Sequence, residues 1–71
     1  MSESEFFQQL DAALAALPFE QRTAFVLAEI QELNYEEIAK IEGVGVGTVK
    51  SRLGRAREKL RAHLQPKAEP A

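Results

Sequence analysis

From Val46 onward the apolar residues Val46, Val49, Leu53, Ala56, Leu60 and Leu64 are separated by 3, 4, 3, 4 and 4 positions. At 3.6 residues per turn this spacing draws one continuous stripe along a single helix, running from about Val46 to Leu64. The chain has 71 residues. That length supports one small domain, because chains below roughly 70–80 residues struggle to bury a sufficient core.

The segments before it are also helical. Phe6, Leu10, Ala13, Leu14 and Leu17 recur at helical spacing behind Ser2 or Ser4 as N-cap, and Ser2 with Glu5 fits a capping box. Pro18 disfavours the helical conformation at Leu17, so it ends this helix and opens the next. A second helix is expected from about Phe19 to Glu32, with Phe25, Val26, Ile30 and then Leu33 inward, and Ala28 or Glu29 at the margin. Asn34 reads as an N-cap, with Glu37 three residues on. The third helix, Tyr35 to about Glu42, should bury Ile38, Ala39 and Ile41 and end at Gly43 in the left-handed conformation. Sustained period-two alternation and hairpin turns are missing. The expected fold is all-α: four helices with a C-terminal helix-turn-helix and no wing, over residues 1–65. Gln65-Pro66 stops the last helix, and residues 66–71 read as a disordered tail.

Composition removes several function classes. The absence of cysteine excludes disulfides, thiolate metal sites and a cysteine nucleophile, and His63 alone makes no zinc site. No apolar run approaches the roughly 20 residues that span a bilayer, and the acidic start MSESE is unlike a signal peptide. Glu36 and Glu37 are adjacent, so their side chains diverge on a helix and are poorly placed for acid/base work. The glycines of Gly43-Val-Gly-Val-Gly47 lack the strand and the spacing of a phosphate loop. No catalytic constellation, cofactor site or metal site is therefore expected, and His63 simply complements the helix dipole.

The formal net charge of −2 conceals a division. Residues 1–43 carry nine acids against Arg22 and Lys40, a net −7, whereas residues 44–71 carry seven bases against Glu58 and Glu69, a net +5. A basic stretch confined to one segment points to nucleic acid even where the whole-chain pI of about 5.3 does not. On the fourth helix, Gly47, Ser51, Gly54, Arg55 and Glu58 lie opposite the stripe, Lys50 and Arg57 on one flank, Arg52 and Lys59 on the other. A recognition helix in the major groove needs small and polar residues outermost and cations that reach the phosphate walls. Ser51 and Arg55 are the candidates for base edges; Lys50, Arg52 and Arg57 for phosphates or flanking bases; Thr48 for the helix start or a phosphate. Any one such cation is commonly no more than a solvated surface charge. Five on one helix of an acidic chain argue for DNA. Gly54 is either a tolerated exposed substitution or room for a base or sugar. Tyr35 either packs or offers its hydroxyl to the DNA backbone.

These residues carry a resemblance. Leu17-Pro18 with Arg22, Tyr35-Glu36-Glu37-Ile38-Ala39, Gly47-Thr48-Val49-Lys50-Ser51-Arg52-Leu53 and Arg55-Ala56-Arg57 together resemble region 4 of the extracytoplasmic-function sigma factors of bacterial RNA polymerase. The likeness covers about Leu17 to Leu64. LuxR-type regulators share an EIA…TVK core but typically place His where Arg52 stands and lack the Arg-Ala-Arg. The resemblance implies binding of the minus-35 promoter element through Thr48, Lys50, Ser51, Arg52, Gly54, Arg55 and Arg57. It also implies contact with the polymerase β flap, capture by an anti-sigma factor, and a cytoplasmic, nucleoid-associated location. No part resembles the region 2 that reads the minus-10 element, so the chain is expected to be the C-terminal domain of a longer factor. Ala28 stands where relatives are often basic, Gly45 where Ser or Pro is usual, and Gly54 where many carry a larger side chain. A different reading from the same motifs is a sigma-like module that engages an anti-sigma factor without reading DNA.

Overall fold

The computed structural model describes residues 2–64. Helix α1 spans Glu3–Ala15, α2 Phe19–Phe25, α3 Tyr35–Glu42 and α4 Val46–Leu64. No strand occurs among the described residues. The expected stop at Gln65-Pro66 and the tail of residues 66–71 lie outside them.

Each helix begins for a local reason. Ser2 Oγ accepts the Glu5 N–H at 3.1 Å and donates to the Glu5 carboxylate at 3.2 Å. Pro18 is extended (φ −55, ψ 149) and its carbonyl accepts the Arg22 N–H, so it precedes α2 as the N-cap and not as the first helical residue. The Asn34 box is complete: Asn34 Oδ1 accepts the Glu37 N–H at 2.8 Å and the Glu37 carboxylate accepts the Asn34 N–H at 3.0 Å. Two of the four orphan donors of α3 are thereby satisfied reciprocally.

The second helix departs from expectation. After Phe25 it widens into a π turn, Val26–Ile30, in which the Gln31 N–H reaches the Val26 carbonyl five residues back at 3.0 Å. It ends there rather than at Glu32, which takes a left-handed φ of 57°, while the Leu33 N–H bonds the Leu27 carbonyl at 3.0 Å. Ile30, expected inside, is 57% exposed. The wider turn takes more residues per revolution and carries Ile30 off the inward face that a straight α-helix would have given it.

Helix α4 is the axis of the packing. Its first half places Val49 and Leu53 in a core with Ala24, Ile38 and Ala39, flanked by Leu27, Leu33, Tyr35, Val44 and Val46. Its second half places Ala56 and Leu60 against Ala13 and Leu17, with Leu14 and Leu64 at the edge. Phe25 packs against both clusters. A second residue expected inside also lies outside. Ile41 is 61% exposed, because the inward stripe of α3 runs through Tyr35, Ile38, Ala39 and Glu42, at the i, i+3, i+4, i+7 spacing that bypasses it. Phe6 is exposed because α1 meets α4 two turns further on, at Ala13, with Leu17 just beyond the end of α1; the Phe6 ring stacks edge-on against Phe7 at 5.8 Å.

Candidate nucleic-acid interface

The helix-turn-helix is built from α3, the turn Gly43-Val44-Gly45, and α4. Gly43 adopts φ 68°, ψ 34°, the left-handed conformation that closes helices without steric penalty only at glycine. The Val44 N–H then bonds the Ala39 carbonyl at 3.0 Å, and Val44 and Val46 fold onto the core beneath. The Gly45 carbonyl accepts the Thr48 and Val49 N–H groups at 3.1 and 3.2 Å and so starts α4. The turn needs no side chain to organise it.

With Val49, Leu53, Ala56 and Leu60 buried, the azimuth of α4 is fixed. Gly47, Thr48, Lys50, Ser51, Gly54, Arg55 and Glu58 are all exposed, and among the described residues the side chains of Thr48, Lys50, Ser51 and Arg55 make no hydrogen bond or ion pair within the chain. A Cβ built on Gly47 or Gly54 meets nothing within 4 Å. The domain itself therefore has no steric need for glycine at either place.

Two of the arginines assigned to DNA from the sequence are engaged elsewhere. Arg52 Nη1 lies 3.3 Å from Glu42 Oε1, with Glu42 only 8% exposed and Arg52 26%. Arg57 Nη2 donates to Glu29 Oε1 at 2.6 Å, both side chains 43% exposed. The Glu29 carboxylate foremost, and then the Tyr35 hydroxyl, hold the Arg57 guanidinium above its ordinary pKa. Tyr35 itself is half-buried against the core. His63 is exposed in the last turn of α4 beside Arg61, where cations complement the carbonyl end of the helix.

The family described as Sigma-70, region 4 matches residues 7–60. The chain belongs to the sigma-70 region 4 family. It is 48% identical over 62 residues to the ECF RNA polymerase sigma factor SigE of Mycolicibacterium smegmatis, covering 87% of this chain and 24% of that protein. It is 48% identical over 58 residues to the ECF RNA polymerase sigma factor EcfG of Rhodopseudomonas palustris, covering 82% of this chain and 32% of that one. With the ECF RNA polymerase sigma-E factor of Haemophilus influenzae the identity is 41% over 66 residues, or 93% of this chain and 35% of the relative. The chain thus spans a quarter to about a third of the length of these curated relatives. Region 4 of sigma-70 is a helix-turn-helix domain, as observed, in a family of non-enzymatic initiation factors.

Within this region 4 domain the sequence reading missed the acidic partners Glu29 and Glu42. A signal for them existed. Arg52 lies three residues after Val49 and four before Ala56; Arg57 lies four after Leu53 and three before Leu60. Both spacings put a side chain at the margin of the buried stripe, within reach of neighbouring elements. Among the described residues no group of three or more His, Cys, Asp or Glu side chains is placed to hold a metal ion. No described helix is long and apolar enough to cross a membrane.

Proposed function

We propose that this chain is the promoter-reading C-terminal domain of an extracytoplasmic-function sigma factor, and that α4 recognises the minus-35 element during transcription initiation by bacterial RNA polymerase. The observation that carries the reading is the outer face of α4. Small residues at Gly47, Ser51 and Gly54 let the helix backbone approach base edges, and Lys50 and Arg55 are exposed beside them with no partner among the described residues. Arg55, one turn beyond Ser51, is the candidate for a bidentate contact with guanine, worth about 1–3 kcal/mol of discrimination. Thr48, near the start of α4, and Lys50 serve the phosphates. The acidic first half of the chain disfavours any docking that turns α1–α3 towards DNA. The β flap of the polymerase and an anti-sigma factor are the protein partners that accompany this reading, in the cytoplasm and at the nucleoid.

Selection from a randomised promoter library, repeated across salt concentrations, tests it. One upstream element should be enriched, with affinity falling steeply as salt rises. Arg55→Ala should relax the preferred bases, whereas Lys50→Ala should weaken all sequences alike. Absence of any enriched element, or affinity indifferent to salt, overturns the proposal.

A further inference from the structure

Four of the six Lys and Arg residues of α4 fall into two pairs with different surroundings. Among the described residues, Lys50 and Arg55 stand on the exposed side and pair with no acid, whereas Arg52 and Arg57 occupy the two opposite margins of the buried stripe and each meets one carboxylate from another element. Glu42, the last residue of α3, holds Arg52 at 3.3 Å on one margin. Glu29, in the π turn that follows α2, holds Arg57 at 2.6 Å on the other. Between them runs the buried line Val49, Leu53, Ala56, Leu60, which sets the azimuth of α4 but, being a non-directional apolar contact, leaves small rotations about that setting to be limited by polar contacts. A pair of polar contacts on opposite margins opposes rotation in both directions.

We infer that Arg52 and Arg57 are positioning residues, strapped by Glu42 and Glu29 to fix the rotation of α4, and that they do not serve as phosphate contacts. The inference rests on the DNA-reading function proposed above. It assigns to two acids, which would ordinarily count against DNA binding, a part in selecting sequence. The π turn also acquires a role, since Glu29 lies within it. A helix free to rotate would still offer Lys50 and Arg55 to phosphates, but would present Ser51 and Arg55 to the wrong base edges. Loss of a strap therefore lowers the preference for the chosen sequence and leaves the count of neutralised phosphates unchanged.

The two roles give opposite signs for paired substitutions. The 71-residue chain and its Arg57→Ala, Glu29→Ala, Arg52→Ala, Glu42→Ala and Lys50→Ala variants are titrated with a duplex recovered from the library and with a scrambled duplex of equal length, over a range of salt. For a strap, removing the acid or the arginine lowers the ratio of specific to non-specific affinity by a similar factor. That factor is about two- to five-fold, as expected for a solvent-reachable ion pair. The slope of log affinity against log salt stays at the wild-type value in all four, while Lys50→Ala makes it shallower by about 0.9. Should Arg57→Ala or Arg52→Ala lower that slope like Lys50→Ala, or should Glu29→Ala or Glu42→Ala raise the ratio, the arginine is a phosphate contact and the inference is overturned. Wild-type binding that shows neither sequence preference nor salt dependence sinks the DNA reading instead. In that case a double-substitution cycle on thermal unfolding decides the straps separately: non-additive losses within each pair establish them, and additive losses remove them.

Discussion

The two clusters along α4 are unequal. In the first, Ala24, Ile38, Val49 and Leu53 are wholly sealed from solvent, and the elements around them are closed by the Asn34 capping box, by Gly43 and by the Glu42–Arg52 pair. In the second, the two large buried side chains, Leu17 and Leu60, each keep 5% exposure, and α1, which supplies one side, begins with Phe6 and Phe7 in solvent. Helix α1 also has no cation in its last turn to complement its carbonyl end. Among the described residues only Phe25 packs against both clusters. The difference teaches a division of labour: α2 and the helix-turn-helix share one sealed cluster, and α1 buttresses the far end of the long helix.

Leu53→Ala should make the largest change. It removes a fully buried side chain from the sealed cluster, at a cost of about 2–5 kcal/mol. A domain of this length has a total stability of roughly 4–10 kcal/mol, so much of its folded population should disappear, read as a large fall in the urea midpoint with loss of helical circular dichroism. Leu60→Ala, in the second cluster, should cost about 2–3 kcal/mol and act unevenly. Hydrogen exchange should show α1 amides losing protection before those of α3 and the first half of α4. Equal loss of protection everywhere would erase the distinction between the clusters.

The caps provide a finer comparison. Asn34→Ala removes an oxygen that accepts at 2.8 Å and breaks the reciprocal box at the start of α3, so about 1 kcal/mol of global stability should go. Ser2→Ala deletes an analogous acceptor at 3.1 Å. Its effect on the urea midpoint should be less than half as large, because the first turn of α1 frays before the domain unfolds. Equal effects at the two caps would mean that α1 is as firmly part of the cooperative unit as α3.

What the sequence disclosed depended on how local the determining physics was. The stripe of α4, the Asn34 box and the left-handed Gly43 are set by residues within a few positions of one another, and each could be read directly. The π turn could not: Val26-Leu27-Ala28-Glu29-Ile30 has ordinary helical composition, and the widening becomes visible only when the helix packs. Its left-handed exit falls on Glu32, where no glycine announces it. Ile41 shows the same limit: its apolar side chain argues for an inward place, while the Glu42 carboxylate one step on takes that place to meet Arg52. On the candidate interface the outer face followed from periodicity alone. Which cations were already partnered did not, because Glu29 lies 28 residues from Arg57 in the chain.

A small effect of opposite sign bears most directly on the junction of the two clusters, where Gly54 lies between Leu53 and Ala56. A mid-helix glycine costs about 0.5–1 kcal/mol relative to alanine, and an added Cβ here meets nothing within 4 Å. Gly54→Ala should therefore raise the urea midpoint by the equivalent of that amount, stiffening α4 where its two halves meet. A residue kept for the fold would not be improved by replacement. If α4 enters the major groove with this face outermost, the same methyl group occupies space needed by a base or sugar, and affinity for the selected duplex should fall while stability rises. A variant that is more stable and binds as tightly as before would show that the open position faces solvent in the complex too. The outward rotation assigned to Ser51 and Arg55 would then have to be redrawn, because Gly54 lies one residue from Arg55 and three from Ser51 on the same exposed side.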